Sequence, residues 1–178
     1  MSKKKCDAAS EAKSCCGAKI LPLGDREGTL RRAVSEMEHR IGPCVALSRM
    51  YETAPVGFDS PHTFLNAAAA FRVTACAQPN EADALRVLAI TKEIECQLGR
   101  RQKSVGGKYA DRPIDIDLLL WEDLQIGLPE LTLPHPHLHE RHFVLDPLAE
   151  IAPDLVHPTL RQSIRTLQLP QGAVGRHT

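Results

Sequence analysis

The chain has 178 residues, 43% of them hydrophobic, enough to bury the core of one domain and short for two. Lys+Arg and Asp+Glu both number 22, so no net field draws it to nucleic acid or to an anionic membrane. No apolar run approaches the roughly 20 residues that span a bilayer, and no apolar core follows the basic start, so we expect a cytoplasmic protein.

Residues 1–18 lack periodicity and are rich in Lys, Ser and Ala; they are expected to be a disordered leader, ahead of a single domain over 19–170 and a flexible tail over 171–178. Leu30, Ala33, Val34, Met37 and Ile41 recur at helical spacing, with Asp25 as N-cap and Gly42 as stop. Val45 and Leu47, then Leu65, Ala67, Ala69, Phe71 and Val73, alternate as strands do, joined through the Pro/Gly-rich 54–62. A second helix is predicted from Asn80, with Ala84, Val87, Leu88, Ile90, Ile94 and Leu98 on one face and Gly99 as its end. The loop 100–113 is basic and Gly-containing and is expected to be mobile when empty and to close over a ligand. A strand over 114–121, a short one over 131–133, and helices over 141–151 and 159–167 complete the pattern. Helices interspersed with strands, two of them consecutive, indicate an α+β sandwich with a largely antiparallel sheet. The cysteines, Cys6, Cys15, Cys16, Cys44, Cys76 and Cys96, follow no C-x-x-C pattern, and several fall in apolar segments where a reduced thiol acts as a small hydrophobe.

The sharpest chemical signal is Asp115-Ile116-Asp117. Alternation on a strand puts both carboxylates on one face, roughly 7 Å apart, while Ile116 and Leu118 point into the core. Such a pair suits a hard cation such as Mg²⁺, which takes one or two carboxylates and fills its shell with phosphate oxygens and water. The bland alternative is a solvated strand edge. Arg100, Arg101, Lys103, Lys108 and Arg112 crowd the preceding loop, where guanidinium forks suit triphosphate charge in a chain without G-x-x-x-x-G-K-S/T. A solvated basic loop is the competing reading. Four histidines, His135, His137, His139 and His142, raise a zinc site, although two prolines stiffen the segment and His135 beside a nucleotide is the better reading. The segment Tyr51 to Gly57, followed by Phe64-Leu65-Asn66, offers a stiff loop, an amide able to read a flat heterocycle and an aromatic to stack on it, or else a tight connection with a buried asparagine.

In order and spacing, Y-E-T-A-P-V-G at Tyr51 to Gly57, F-L-N at Phe64 to Asn66, I-E-x-x-L-G-R at Ile94 to Arg100, R-P-I-D-I-D-L-L-L at Arg112 to Leu120 and the long L-P-H-P segment at Leu133 to Pro153 resemble the 6-hydroxymethyl-7,8-dihydropterin pyrophosphokinase family. The resemblance implies a ferredoxin-like three-layer α/β/α sandwich. It also implies Mg²⁺-dependent transfer of pyrophosphate from ATP to the pterin hydroxymethyl group, with release of AMP, in folate biosynthesis. Asp115 and Asp117 would hold two Mg²⁺ ions, with Arg100 and Arg112 as further catalytic groups and Arg141 joining them on the phosphates. Lys92, Glu95, Leu118, Thr132 and His135 would surround the nucleotide, while Thr53, Val56, Phe64, Asn66 and Phe143 would form the pterin slot, with Tyr109 where the family usually has a loop Trp. A monomer that binds neither nucleic acid nor membrane is implied as well. The chain departs from the family where G-S/T-N-x-G-D/N is usual and Ile20-Leu21-Pro22-Leu23-Gly24-Asp25 stands instead. A catalytically impaired nucleotide-binding relative with a degraded pterin site is therefore the alternative.

Overall fold

Asp25 opens the first helix, α1 (Arg26–Arg40), by accepting the Gly28 N–H at 2.9 Å, and Gly42 leaves it at φ 143°. Leu30, Ala33 and Met37 form its buried stripe, each of the two larger side chains contributing about 1.5–3 kcal/mol by leaving water. Asn80 caps the second helix, α2 (Glu81–Gln97), through the Asp83 N–H, and Gly99 follows it at φ 108°. Ala84, Val87 and Ile94 are buried as the spacing predicts, and so are Thr91 and Glu95, whose polarity gave no sign of it. The computed structural model describes residues 13–20, 25–54, 63–73, 79–99 and 114–168, for 13–20 the backbone alone. The tail 171–178, the basic loop 100–113 and most of the leader lie outside these residues.

The five-stranded sheet is antiparallel throughout, in the order β2-β4-β1-β5, with β3 also pairing β4. Its strands are β1 (Lys13–Ile20), β2 (Cys44–Leu47), β3 (Tyr51–Thr53), β4 (Phe64–Arg72) and β5 (Ile114–Trp121). The expected leader thus needs correction: 13–18 lie in a strand held between β4 and β5. An interior strand is stabilised by backbone pairing on both sides, which side-chain periodicity does not report. Tyr51–Thr53, expected within a stiff loop, is likewise a strand, paired with Phe64–Asn66.

Helices cover both sheet faces. Ala67, Ala69, Phe71, Ile114, Ile116 and Leu118 join α1 and α2 in one apolar cluster. Ala68, Ala70, Leu119 and Leu120 join Leu138, Leu145, Leu148 and Ile164 in the other, which brings in α3 (His142–Ile151) and α4 (Ile164–Leu167). A register shift opposite Cys15/Cys16 lets the adjacent Leu119 and Leu120 face the same layer. A short hairpin, β6 (Ile126–Gly127) with β7 (Thr132–Leu133), and a 3-10 turn at Leu138–Glu140 connect β5 to α3. The helix expected over 159–167 shrinks to α4, because Val156 bridges Ser163 and Arg161 takes φ 56°. Cys44 and Cys96 are free thiols, Cys96 exposed where an apolar-segment cysteine was expected inside.

Candidate active site

Along β5, Ile114, Ile116 and Leu118 are buried and Asp115 and Asp117 are half-exposed, so both carboxylates stand on the face opposite the α1/α2 core. In register they lie across β1 from Lys19 and Gly17, and the same β1 residues lie across from Asn66 and Ala68 of β4. Glycine brings no side chain to the sheet between Ala68 and Asp117. A small cavity opens over this stretch, lined by Asn66, Ala68, Asp117, Leu119, Phe143 and Val144. Burial, and then the neighbouring charge of Asp115, push the Asp117 carboxyl above its usual range, against the pull of His135, Lys92 and Arg141.

Among the described residues β5 is an outer strand, and side groups occupy its outer edge. Glu95 of α2, with its side chain fully buried, accepts the Ile116 N–H at 2.7 Å and the Lys92 ammonium at 3.0 Å. The His135 N–H donates to the Leu119 carbonyl at 2.8 Å. The His135 ring is half-buried, and its Nδ1 accepts the His137 N–H at 3.2 Å, which leaves the proton of the neutral ring on Nε2. Burial holds this imidazole below its usual range; Asp117 pulls it up and Arg141 pushes it further down.

Across the cavity, buried Asn66 donates from Nδ2 to the Thr53 hydroxyl at 2.8 Å and to the Tyr51 carbonyl at 3.4 Å. No hydrogen bond among the described residues engages its Oδ1, an acceptor on the cavity wall. Phe143 stands at the start of α3, with the Arg141 guanidinium 5.8 Å from its ring centre. Two polar clusters hold this rim: Tyr51 donates to Glu150 at 2.6 Å, and Arg26 joins Glu52 at 3.1 Å while both bond Thr63. Tyr51 and Glu52 were visible only as motif letters; nothing in the local pattern announced partners about 100 and 26 positions away.

The structure therefore brings Lys92, Asp115, Asp117, His135 and Arg141 into one electrostatic neighbourhood, with Thr53, Asn66 and Phe143 beside it. Phe64 is only 2% exposed and opens β4 as a core side chain instead of a stacking surface. Leu118 and Glu95, expected around the nucleotide, also have interior side chains, at 3% and 0% exposure. Leu118 can meet a ligand only through its backbone on the free edge of β5. Thr132 is exposed on β7. Val56, Arg100, Tyr109 and Arg112 lie outside the described residues. His137 is engaged by Glu140 at 2.8 Å, and the His139 ring packs edge-on against His157. Among the described residues no three His, Cys, Asp or Glu converge as a metal cage, so the zinc reading gains no ligand set.

A sequence profile of the family described as 7,8-dihydro-6-hydroxymethylpterin-pyrophosphokinase matches residues 17–153. A Porphyromonas gingivalis protein named 2-amino-4-hydroxy-6-hydroxymethyldihydropteridine pyrophosphokinase is 49% identical over 137 residues, 76% of this chain and 88% of that protein. A Bacillus subtilis protein of the same name is 36% identical over 130 residues, 72% of each. Among solved structures, a Plasmodium falciparum HPPK-DHPS with pteroate superposes with TM-score 0.69 at 14% identity, over 91% of this chain and 44% of that one. An HPPK-DHPS in complex with substrates gives TM-score 0.70 over 89% of this chain and 43% of that one. The present chain thus spans less than half of those longer chains, and the likeness speaks for the fold alone. The profile match and the sequence relatives together establish that this chain belongs to the 7,8-dihydro-6-hydroxymethylpterin pyrophosphokinase family.

Proposed function

We propose that this ATP-dependent pyrophosphokinase moves the pyrophosphoryl group of ATP to the hydroxymethyl arm of 6-hydroxymethyl-7,8-dihydropterin, a folate-biosynthesis step, around a centre built on Asp115 and Asp117. The observation that carries the assignment is the common strand face of these carboxylates, with Asp117 lining a cavity that Asn66 and Phe143 also line. The pterin ring lies against that wall, where Asn66 Oδ1 accepts from it and Phe143 covers it. The nucleotide lies toward His135, Lys92, Thr132 and Arg141, with the Leu118 backbone on the free edge; Arg100 and Arg112 complete the phosphate contacts. Val56 and Tyr109 complete the pterin side.

The donor set suits magnesium: two adjacent carboxylates, one of them pushed toward its neutral form by burial and by the other, are relieved by a divalent cation and leave its remaining positions to phosphate oxygens. When bound, two such ions supply charge neutralisation and alignment of the triphosphate. The rest falls to the chain. Asp115 and Asp117 carry the negative charge of the centre, and Lys92 and Arg141 balance it. His135 offers an Nε2–H donor. As the pterin hydroxyl oxygen bonds to the β-phosphorus, the bond from that phosphorus to the bridging oxygen breaks, AMP departs and the hydroxyl proton is released. Positioning and charge account for most of the rate in such transfers, so no strong base is required. The ferredoxin-like α/β/α arrangement belongs to this reading, supported by helices on both sheet faces; a monomeric state and a cytoplasmic location are proposed with it, and no helix among the described residues is long and apolar enough to cross a membrane. The test is release of AMP from ATP, Mg²⁺ and the hydroxymethyl dihydropterin. We expect turnover in the native protein and none detectable in Asp117→Ala; undiminished turnover in that variant overturns the centre.

A further inference from the structure

Glu95 is a puzzle of burial. Its carboxylate is wholly enclosed, where an ionised group is costly unless matched by a counter-charge and hydrogen bonds. Both are supplied here. Lys92, three residues earlier on α2, places its ammonium 3.0 Å away, and the backbone N–H of Ile116 donates at 2.7 Å. That N–H belongs to the peptide joining Asp115 to Ile116, the hinge between the two acidic residues. Among the described residues β5 is the outer strand of its sheet, and no neighbouring strand among them holds this side of the peptide. Three residues further on, the His135 N–H holds the Leu119 carbonyl on the same edge. The free edge is therefore pinned on either side of Asp117.

We propose that Glu95 is a positioning residue for the cation-binding pair: by holding the Ile116 N–H it fixes the peptide plane that carries Asp115 and leads through Ile116 to Asp117. It acts on the aspartates and does not touch the nucleotide. A peptide plane free to tilt swings the Cβ vector of Asp115 directly and shifts that of Asp117 through Ile116, and two carboxylates that must share divalent ions tolerate little such motion. Lys92 serves both sides, as counter-ion to the buried carboxylate and as a positive charge acting on Asp117. The inference rests on the reading that Asp115 and Asp117 hold the divalent cation.

Three measurements test it. In protein free of metal and nucleotide, the Ile116 amide exchanges slowly with solvent in the native chain and Glu95→Gln, whose side-chain oxygen still accepts, and fast in Glu95→Ala. With Mn²⁺ as probe, titrated by electron paramagnetic resonance at a fixed, saturating concentration of a non-hydrolysable ATP analogue, Glu95→Ala weakens cation binding about 10-fold to 100-fold. Its KM for ATP at saturating Mg²⁺ stays within about twofold of native, and Glu95→Gln falls between. Val87→Ala, a buried truncation on the same helix, controls for lost stability and leaves cation binding unchanged. The proposal is overturned by a raised KM for ATP with native Mn²⁺ affinity, by an equal loss in Val87→Ala, or by Ile116 exchange that ignores residue 95. Asp117→Ala separates the premise: native Mn²⁺ binding there defeats the cation reading, whereas loss there with native binding in both Glu95 variants defeats only the positioning role.

Discussion

Burial pushes Asp117 and His157 toward their neutral forms by the same loss of hydration, with different consequences. For Asp117 the unfavourable charge is concentrated beside a second carboxylate and favours capture of a cation. His157 instead serves the fold: Nδ1 accepts the Leu160 N–H at 3.2 Å, while its own N–H and carbonyl bond Gln162 and Arg161 at 2.8 Å, so the unprotonated ring holds the turn after α3. Burial, and to a smaller degree His139, lower its pKa below the ordinary 6.5. Above that pH the folded and unfolded chains both hold a neutral ring. As pH falls from 6.5 through the folded value, the unfolded chain takes up a proton first, and stability is lost over that interval. We expect His157→Asn, which keeps an acceptor near Nδ1 and cannot titrate, to lose less melting temperature than the native protein between neutral pH and pH about 5. Parallel melting curves across that range contradict the assignment.

Elements carry the site through their ends and edges. α2 delivers Lys92 and Glu95 to the free edge of β5, and its start depends on Asn80, which accepts the Asp83 N–H at 2.9 Å. Asn80→Ala is expected to cost about 1 kcal/mol in urea unfolding while leaving kcat at saturating substrates near native, because the cap is remote from the aspartates in sequence and the packed face of α2 remains. A stability equal to native shows that the cap contributes nothing. On the other face, α3 places Phe143 in its first turn and Glu150 in its last, where Tyr51 of β3 reaches it at 2.6 Å, so the helix is tied to the strand that supplies Thr53. The Asn66–Thr53 hydrogen bond then joins β3 to β4 within the same wall.

In the whole molecule, β1 is the keystone of the sheet: it pairs with β4 from Lys13 to Ile20 and with β5 from Ser14 to Ile20. Within the sheet it stands between the wall bearing Asn66 and the strand bearing the aspartates. Deleting the chain through Ile20 strips both neighbours of their ladder. Each orphaned backbone group costs about 1–3 kcal/mol where water cannot reach it, and several exceed the roughly 5–15 kcal/mol that holds a domain together. The truncated chain is expected to lack the near-ultraviolet circular dichroism of the native protein and a cooperative unfolding transition. A cooperatively folded product argues against the central placement of β1.

Local chemistry declared α1, α2, β4 and β5 because each packs a periodic apolar face on a neighbour, and side-chain period is what a linear string displays. The aspartate pair was legible for the same reason: alternation on a strand determines which face a residue takes before any partner is known. The placement of β1 and β3 was not legible, since a polar or small-residue strand is stabilised by backbone pairing with segments distant in the chain. Nor was the inward turn of Glu95, which the family resemblance placed around the nucleotide. Only the packed tertiary structure supplied an Ile116 N–H and a Lys92 ammonium at the right distance, because the solvation of a buried charge depends on what surrounds it in space and not on its neighbours along the chain.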